Sequence, residues 1–187
     1  MKNFKIYTLS LLMVVALFSS CKKDEPEPDN EEELITTLIY TLTPENGGTS
    51  VVFTFRDLDG DGGEVPVIVN GVLAANTTYD TEIQLLNEAE TPTEVITTEV
   101  KEEGDEHQLF YSQTVDLDMS FAYVDVDDNG DPIGIVTKLE TGVASSGMYK
   151  ITLRHEPNKS ATGVSSGDIT NAGGSTDIEV TFDVIIQ

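Results

Sequence analysis

Two histidines and the acidic residues beside them are the first side chains whose spacing could support chemistry. His107 lies in GDEHQLFY, just before a predicted strand, and His155 lies in LRHEPNK, just after another. If these strands are antiparallel neighbours, the start of one and the end of the other fall at the same sheet edge. The two imidazoles, with Glu106, Glu156 or Asp105, would then form a site for Zn²⁺ or a similar transition ion. The alternative is two separate surface histidines at strand ends.

Two aspartate-rich loops are candidate calcium sites. Their ligands at alternate positions before a glycine are Asp57, Asp59 and Asp61 in RDLDGDGGE, and Asp125, Asp127 and Asn129 in VDVDDNGDP. A curled loop brings side chains two residues apart together, and their hard oxygen atoms suit Ca²⁺. An EF-hand needs a glutamate at position 12, where these loops have Ile68 and Val136. The alternative is two hairpin turns, since Asp-Gly and Asn-Gly are strong turn signals.

These loops resemble the aspartate-rich calcium loops of secreted thrombospondin-type and dockerin-type modules, at the motif only. The resemblance implies structural sites, because extracellular modules of this kind bind calcium at about 10⁻⁴ to 10⁻³ M. Calcium would then stiffen the loops without carrying a signal.

The sequence does not carry the signatures of common enzyme classes. GVSSG at 163–167 matches G-x-S-x-G in letters, but a loop and a strand follow it, and both histidines precede Ser165. A nucleophile elbow requires a helix after the serine and a histidine downstream. There is no H-E-x-x-H, P-loop, dinucleotide fingerprint or C-x-x-C. We therefore expect a protein without enzymatic activity.

The first twenty residues have the three-part plan of a secretory signal peptide. Lys2 and Lys5 precede an apolar run from Ile6 to Phe18, and the small pair Ser19 and Ser20 follows. The run has 13 residues, which is too short for a hydrocarbon core that needs about 20 helical residues. We assign residues 1–20 to a signal peptide.

Cys21 is the only cysteine and directly follows this segment. The stretch FSSC resembles a lipoprotein lipobox, with Phe18 in place of the usual leucine, and the resemblance implies lipidation of Cys21. The following Lys22-Lys23-Asp24-Glu25 resembles the export signal of Bacteroidota lipoproteins, which implies an outer-membrane anchor facing the cell exterior. Residues 21–33 carry five glutamates and two prolines, and such a composition predicts a disordered acidic tether.

The mature chain is strongly acidic. Without the two lysines of the signal it has eight basic residues against 34 acidic ones, a side-chain charge of about −26. This charge repels nucleic acid. Its role is then either to attract cations or cationic partners, or only to keep the protein soluble. The length of the chain after the tether predicts one domain at 34–187, and we expect a monomer.

Alternating apolar residues predict an all-β fold. The clearest case is TDIEVTFDVII at 176–186, in which Asp177 and Glu179 belong to the face exposed to water. Further strands are predicted at 34–42, 50–56, 78–86, 94–101, 108–114, 119–126, 133–139 and 148–154. Eight or nine short strands separated by turn signals predict an antiparallel β-sandwich, immunoglobulin-like in general architecture, with a closed β-barrel as the alternative.

Together these features predict a lipid-anchored, surface-exposed, non-catalytic binding protein. Its ligand would be a divalent metal or a cationic molecule. The lipoprotein resemblance allows a role as accessory to a TonB-dependent outer-membrane receptor. The alternative is a structural or adhesive surface module with calcium-stiffened loops.

Overall fold

The computed structural model of the protein describes residues 33–60 and 62–187. Two β-sheets pack against each other in this part of the chain, which confirms the predicted all-β sandwich. Neither sheet closes on itself within the described residues, so the alternative of a closed barrel is wrong. The predicted signal peptide, Cys21 and the tether up to residue 32 lie outside the described residues, and these assignments stay predictions.

Ten strands, one short α-helix and two single-turn 3₁₀-helices make up the regular structure of the described residues. The strands are β1 (Thr37–Pro44), β2 (Val51–Arg56), β3 (Val67–Val69), β4 (Val72–Leu73), β5 (Thr78–Leu86), β6 (His107–Gln113), β7 (Met119–Tyr123), β8 (Val136–Thr141), β9 (Ser145–His155) and β10 (Ser175–Ile186). The larger sheet has the order β3-β2-β1-β5-β8-β7, and the smaller has the order β4-β10-β9-β6. Paired strands are antiparallel except β4 and β10, which pair in parallel.

The core lies between the two sheets and is built by alternation along their strands. In β10 the residues at even numbers from Ile178 to Ile186 are all buried, as the period of two predicts. Phe182 of β10 packs against Phe53 of β2, with ring centroids 5.4 Å apart. Contacts of this kind between the sheets explain why the inner face of each strand is apolar.

The predicted strands correspond to observed ones with boundaries within three residues, except at 94–101. That prediction is wrong, because the segment forms the helix α1 (Ile96–Glu102). Ile96 and Val100 are four residues apart and both buried, so they share one helical face. The Thr97 hydroxyl fixes the helix to β5 by accepting from the N–H of Leu85 and donating to its carbonyl. A short apolar run with this spacing is compatible with the alternation of a strand and with the period of a helix, so the sequence alone does not distinguish the two. The strands β3 and β4 were not predicted.

The Gly- and Ser-rich segment between β9 and β10 folds back onto the smaller sheet. It contains two single-turn 3₁₀-helices, Val164–Ser166 and Ile169–Asn171. Val164 and Ala172 bury Phe110 of β6 in a small apolar cluster apart from the main core. The side-chain amide of Gln108 donates to the carbonyl of Val164 at 2.9 Å. The segment is therefore a packed part of the domain.

Among the described residues, no helix has the length and apolar character needed to cross a membrane.

Candidate metal centre

The two histidines meet at one end of the smaller sheet. His107 is the first residue of β6 and His155 is the last residue of β9, and the register pairs them directly. Their ring centroids lie 4.6 Å apart. Both rings are on the inner face of the sheet, in line with the buried pair Leu109 and Leu153. The predicted meeting of the two imidazoles is confirmed.

A β-bulge brings Asp177 to the same place. The register of β10 on β9 shifts between Thr176 and Ile178, which leaves Asp177 as the extra residue of the strand. A bulge redirects a side chain that strict alternation would send to the other face. The Asp177 side chain is 0% exposed, so its assignment to the water-exposed face of β10 is wrong. The histidines, by contrast, follow the regular pairing of β6 and β9.

The three side chains form a compact buried group, which we call the inner site. Nε2 of His107 lies 3.9 Å from Oδ2 of Asp177, and Nδ1 of His155 lies 3.8 Å from Oδ1 of Asp177. These distances exceed hydrogen-bond range. Zn²⁺ held at about 2.1 Å places neighbouring tetrahedral ligands about 3.4 Å apart, so a contraction of roughly half an ångström would enclose an ion. The inner site is therefore a group that could hold a metal.

The protonation of His107 suits a metal ligand. Its Nδ1–H donates to the backbone carbonyl of Glu103 at 3.1 Å, which leaves the lone pair of Nε2 directed toward Asp177. Burial lowers the pKa of His107, and this effect outweighs the opposing influence of the Glu103 carbonyl. In the described part of the chain, buried Nε2 has no hydrogen-bond partner. A ligating histidine with its other N–H on a carbonyl is the usual arrangement in metal sites.

His155 presents its two ring nitrogens to two different carboxylates. Nδ1 is directed toward Asp177 as described, and Nε2 lies 3.8 Å from Oε2 of Glu106. The ring is 4% exposed, and neither nitrogen has a hydrogen-bond partner among the described residues. If Nδ1 binds a metal, Nε2–H is directed to the carboxylate of Glu106, which would accept its hydrogen bond and orient the ring.

The acidic residues that were predicted as ligands beside the histidines lie in different places in the structure. Glu106 and Glu156 form a separate group with His155, which we call the outer site, at the solvent-exposed side of that ring. Asp105 is exposed and belongs to no metal-ligating group found among the described residues. Asp177, which the sequence pattern does not single out, is the acidic ligand of the inner site.

Several acidic residues lie around the histidines. Glu33 forms a further group with Glu103 and His107. Its pKa is raised to about 7, first by partial burial and then by the charges of neighbouring acids, among them Glu99, Glu103 and Asp177. Carboxylates crowded in this way disfavour further negative charge and attract a cation.

In the first predicted calcium loop the aspartates cap turns. Oδ1 of Asp57 accepts from the N–H of Gly60 at 3.0 Å, and Oδ2 of Asp59 accepts from the N–H of Glu64 at 2.9 Å. Asp61 lies outside the described residues. Calcium binding at this loop stays a prediction.

In the second predicted calcium loop the aspartates have protein partners. Oδ1 of Asp125 accepts from the N–H of Gly134, and Oδ2 accepts from the next two backbone N–H groups. Oδ1 of Asp127 accepts from the N–H groups of Asn129 and Asp131. The Asn129 side chain is exposed. Calcium binding by Asp125, Asp127 and Asn129 stays a prediction, while these contacts give the carboxylates a structural role.

A buried lysine from the segment between β9 and β10 contacts the second loop. The Lys159 ammonium donates to Oδ2 of Asp127 at 2.8 Å and to the carbonyls of Gly104 and Pro132. Burial acts to raise the pKa of Asp127, but Lys159 and the backbone N–H groups together hold it below its usual range. Lys159 thus neutralises Asp127 from within the chain.

Comparisons of the chain with protein-family models, curated proteins and solved structures found no match. The fold and the site therefore define the class by themselves. It is a two-sheet β-sandwich with a buried His/His/Asp group that could hold a metal.

Proposed function

We propose that this protein binds a divalent transition-metal ion at the inner site, through Nε2 of His107, Nδ1 of His155 and the carboxylate of Asp177. The observation that carries the proposal is a buried cluster in which imidazole nitrogens without hydrogen-bond partners in the described chain face a carboxylate. Burial of such nitrogens has a free-energy cost that a metal ion would offset. Two imidazoles and one carboxylate are borderline ligands, for which Zn²⁺ is a good match.

The acidic surroundings support capture of a cation from dilute solution. Glu103 and the glutamates of the outer site place negative charge beside the histidines, and such a potential raises the local cation concentration. With the predicted lipid anchor at Cys21, the protein would present this site at the outer face of the outer membrane. We propose that it captures the metal there, as accessory to an outer-membrane receptor.

One observation favours the alternative of a structural surface module. The side chains of His107, His155 and Asp177 are 0 to 4% exposed, and a metal ion bound among buried side chains contributes its binding free energy to the stability of the fold. The two functions differ in how fast the bound metal ion dissociates. A capture protein must release its metal to a partner, whereas a structural ion stays bound until the protein unfolds.

Metal content and affinity test the proposal. The chain from Cys21 to Gln187 would carry Cys21→Ser, which removes both the acylation site and the single thiol. Elemental analysis and calorimetry with Zn²⁺ should give one ion per chain. The His107→Ala, His155→Ala double variant should lose it, while retaining the circular-dichroism spectrum of a β protein. Equal zinc binding by both chains would overturn the proposal.

A matched pair of aspartate variants separates ligation from charge. Asp177→Asn and Asp183→Asn each remove one negative charge from β10, but Asp183 is exposed on the outer face. Only the first should weaken zinc binding.

Release of the ion to a chelator within minutes would favour capture, and retention until unfolding would favour the structural role.

A further inference from the structure

The outer site consists of Nε2 of His155 and the carboxylates of Glu106 and Glu156, with ligand atoms within 4.8 Å of one another. Glu106 is 51% exposed, whereas the His155 ring is 4% exposed. The group therefore has two carboxylates in solvent and one buried nitrogen directed outward at them. In the described chain that nitrogen has no hydrogen-bond partner, so the outer site is more than a cluster of surface acids.

The backbone holds the two glutamates together. Glu156 has a φ of 50°, in the left-handed region that residues with a side chain seldom adopt. Its N–H donates to the backbone carbonyl of Glu106 at 2.6 Å. Gly174 packs so closely that an added Cβ would lie 2.0 Å from the carbonyl oxygen of His155. Strained backbone of this kind is found where the surrounding structure enforces a particular side-chain position.

His155 connects the outer site to the inner one. Its Nε2 faces Glu106 and its Nδ1 faces Asp177, at 3.8 Å in both directions. The ring thus separates an exposed set of ligands from a buried set and belongs to both. An ion bound outside needs to move past a single imidazole to reach Asp177 and His107.

We propose that the outer site is a loading site for divalent transition-metal ions, from which the metal passes to the inner site with His155 as the shared ligand. In this step Nδ1 of His155 loses its proton as it takes up the ion, and Nε2, released by the ion, takes up a proton that it donates to Glu106. This inference rests on the proposed function, because it assigns the route by which the inner site fills. Two exposed carboxylates and one imidazole bind such an ion weakly and exchange it with water quickly. The inner site, with two imidazoles and a buried carboxylate, holds it longer.

Association kinetics with Zn²⁺ test the loading role, followed by stopped-flow competition with a chromophoric chelator. The Glu106→Gln, Glu156→Gln double variant should fill the inner site about tenfold more slowly, a typical size for a local electrostatic effect on association. The control is Glu90→Gln, Glu140→Gln, which removes the same charge from exposed positions and should change the rate less than about twofold. Equal rates in the two double variants would overturn the proposal.

A second measurement separates this inference from the proposed function. In His107→Gln, Asp177→Asn the inner site is lost, and the outer site should still bind one Co²⁺ weakly, with the faint absorption of an octahedral ion. Adding Glu156→Gln should abolish that absorption. If the wild type holds zinc but the His107→Gln, Asp177→Asn variant binds no Co²⁺, the loading site is wrong and the proposed function stands. If the wild type gives only the weak outer signal, the inner site is wrong and the outer site stands.

Discussion

His107 and His155 are directly opposed across β6 and β9, with their ring centroids 4.6 Å apart on the inner face of the smaller sheet. The same face continues with apolar pairs such as Leu109 and Leu153. A pair of imidazoles at the end of an apolar stripe is costly without a ligand or a full set of hydrogen bonds. Asp177, delivered by the bulge in β10, supplies the opposing charge that makes the pair a candidate metal centre.

Zinc should stabilise the fold through the inner site. A ligand at about 100 times its dissociation constant raises the free energy of unfolding by about 2.7 kcal/mol when it binds only the folded state. We expect this increase for the wild type and for Asp183→Asn, and a clearly smaller increase for Asp177→Asn. Urea unfolding with zinc and with EDTA measures it, and a zinc effect of undiminished size in Asp177→Asn would contradict the inner site.

Glu33 should lower the stability of the metal-free protein as pH rises from about 4.5 to about 7, while the lowered pKa of His107 acts in the opposite direction. The folded-state pKa of Glu33 is raised from 4.5 to about 7, so within this window the folded chain keeps a proton that the unfolded chain has lost. The stabilisation is complete below pH 4.5 and is lost as pH passes through the folded-state pKa.

Glu33→Gln removes this titration, so the free energy of unfolding should fall less, or rise more, with pH in that window than in the wild type. Unfolding in urea with EDTA, at a series of pH values from 4 to 8, measures the slope. Glu90→Gln, at an exposed position, is the control and should keep the wild-type slope. A wild-type slope in Glu33→Gln as well would show that the carboxyl titrates normally.

Lys159→Met should destabilise the fold by about 3 to 5 kcal/mol, because it leaves the buried carboxylate of Asp127 without its cation. The side chains of Lys159 and Asp127 are only 6% and 1% exposed. Lys150→Met is the control, since its ion pair with Glu179 is exposed and should contribute less than about 1 kcal/mol. Denaturant unfolding of both variants gives the comparison, and equal losses would contradict the structural role of Lys159.

Asp125→Asn should destabilise the protein by about 1 to 3 kcal/mol, because an amide nitrogen would replace an oxygen that accepts backbone N–H groups. Since these partners belong to the chain, the loss should be the same with EDTA and with millimolar calcium. Asp128→Asn changes an exposed residue of the same loop and should have little effect. A loss seen only in calcium would instead favour the calcium site of the sequence prediction.

The meeting of the histidines was predicted on the condition that their strands are antiparallel neighbours. The strands follow from local alternation, but the pairing of β6 with β9 joins distant segments and is evident only in the structure. Asp177 was not predicted, because a bulge breaks the period of two on which its assignment to the outer face depended. The sequence around Asp177 gives no separate sign of the bulge. Its position in the strand that pairs with β9, near the partner of His155, is evident only once the register is known.

The helix α1 and the contacts of Lys159 were missed for other reasons. Val95, Ile96 and Val100 are too few apolar residues to distinguish a strand from two helical turns. Lys159 reaches Asp127 across the fold from a Gly- and Ser-rich loop, and no local pattern reports a contact between such distant segments. In the same way, the aspartates of the second loop were recognised, but their backbone donors were not.

X-ray absorption spectroscopy at the zinc edge, on the zinc-loaded chain from Cys21 to Gln187 with Cys21→Ser, tests the inner site most directly. We predict nitrogen and oxygen ligands at about 2.0 to 2.2 Å, with the outer-shell scattering of two imidazoles. His155→Ala should leave the scattering of one imidazole at most. A spectrum with oxygen ligands alone, unchanged by His155→Ala, would contradict a metal centre at His107, His155 and Asp177.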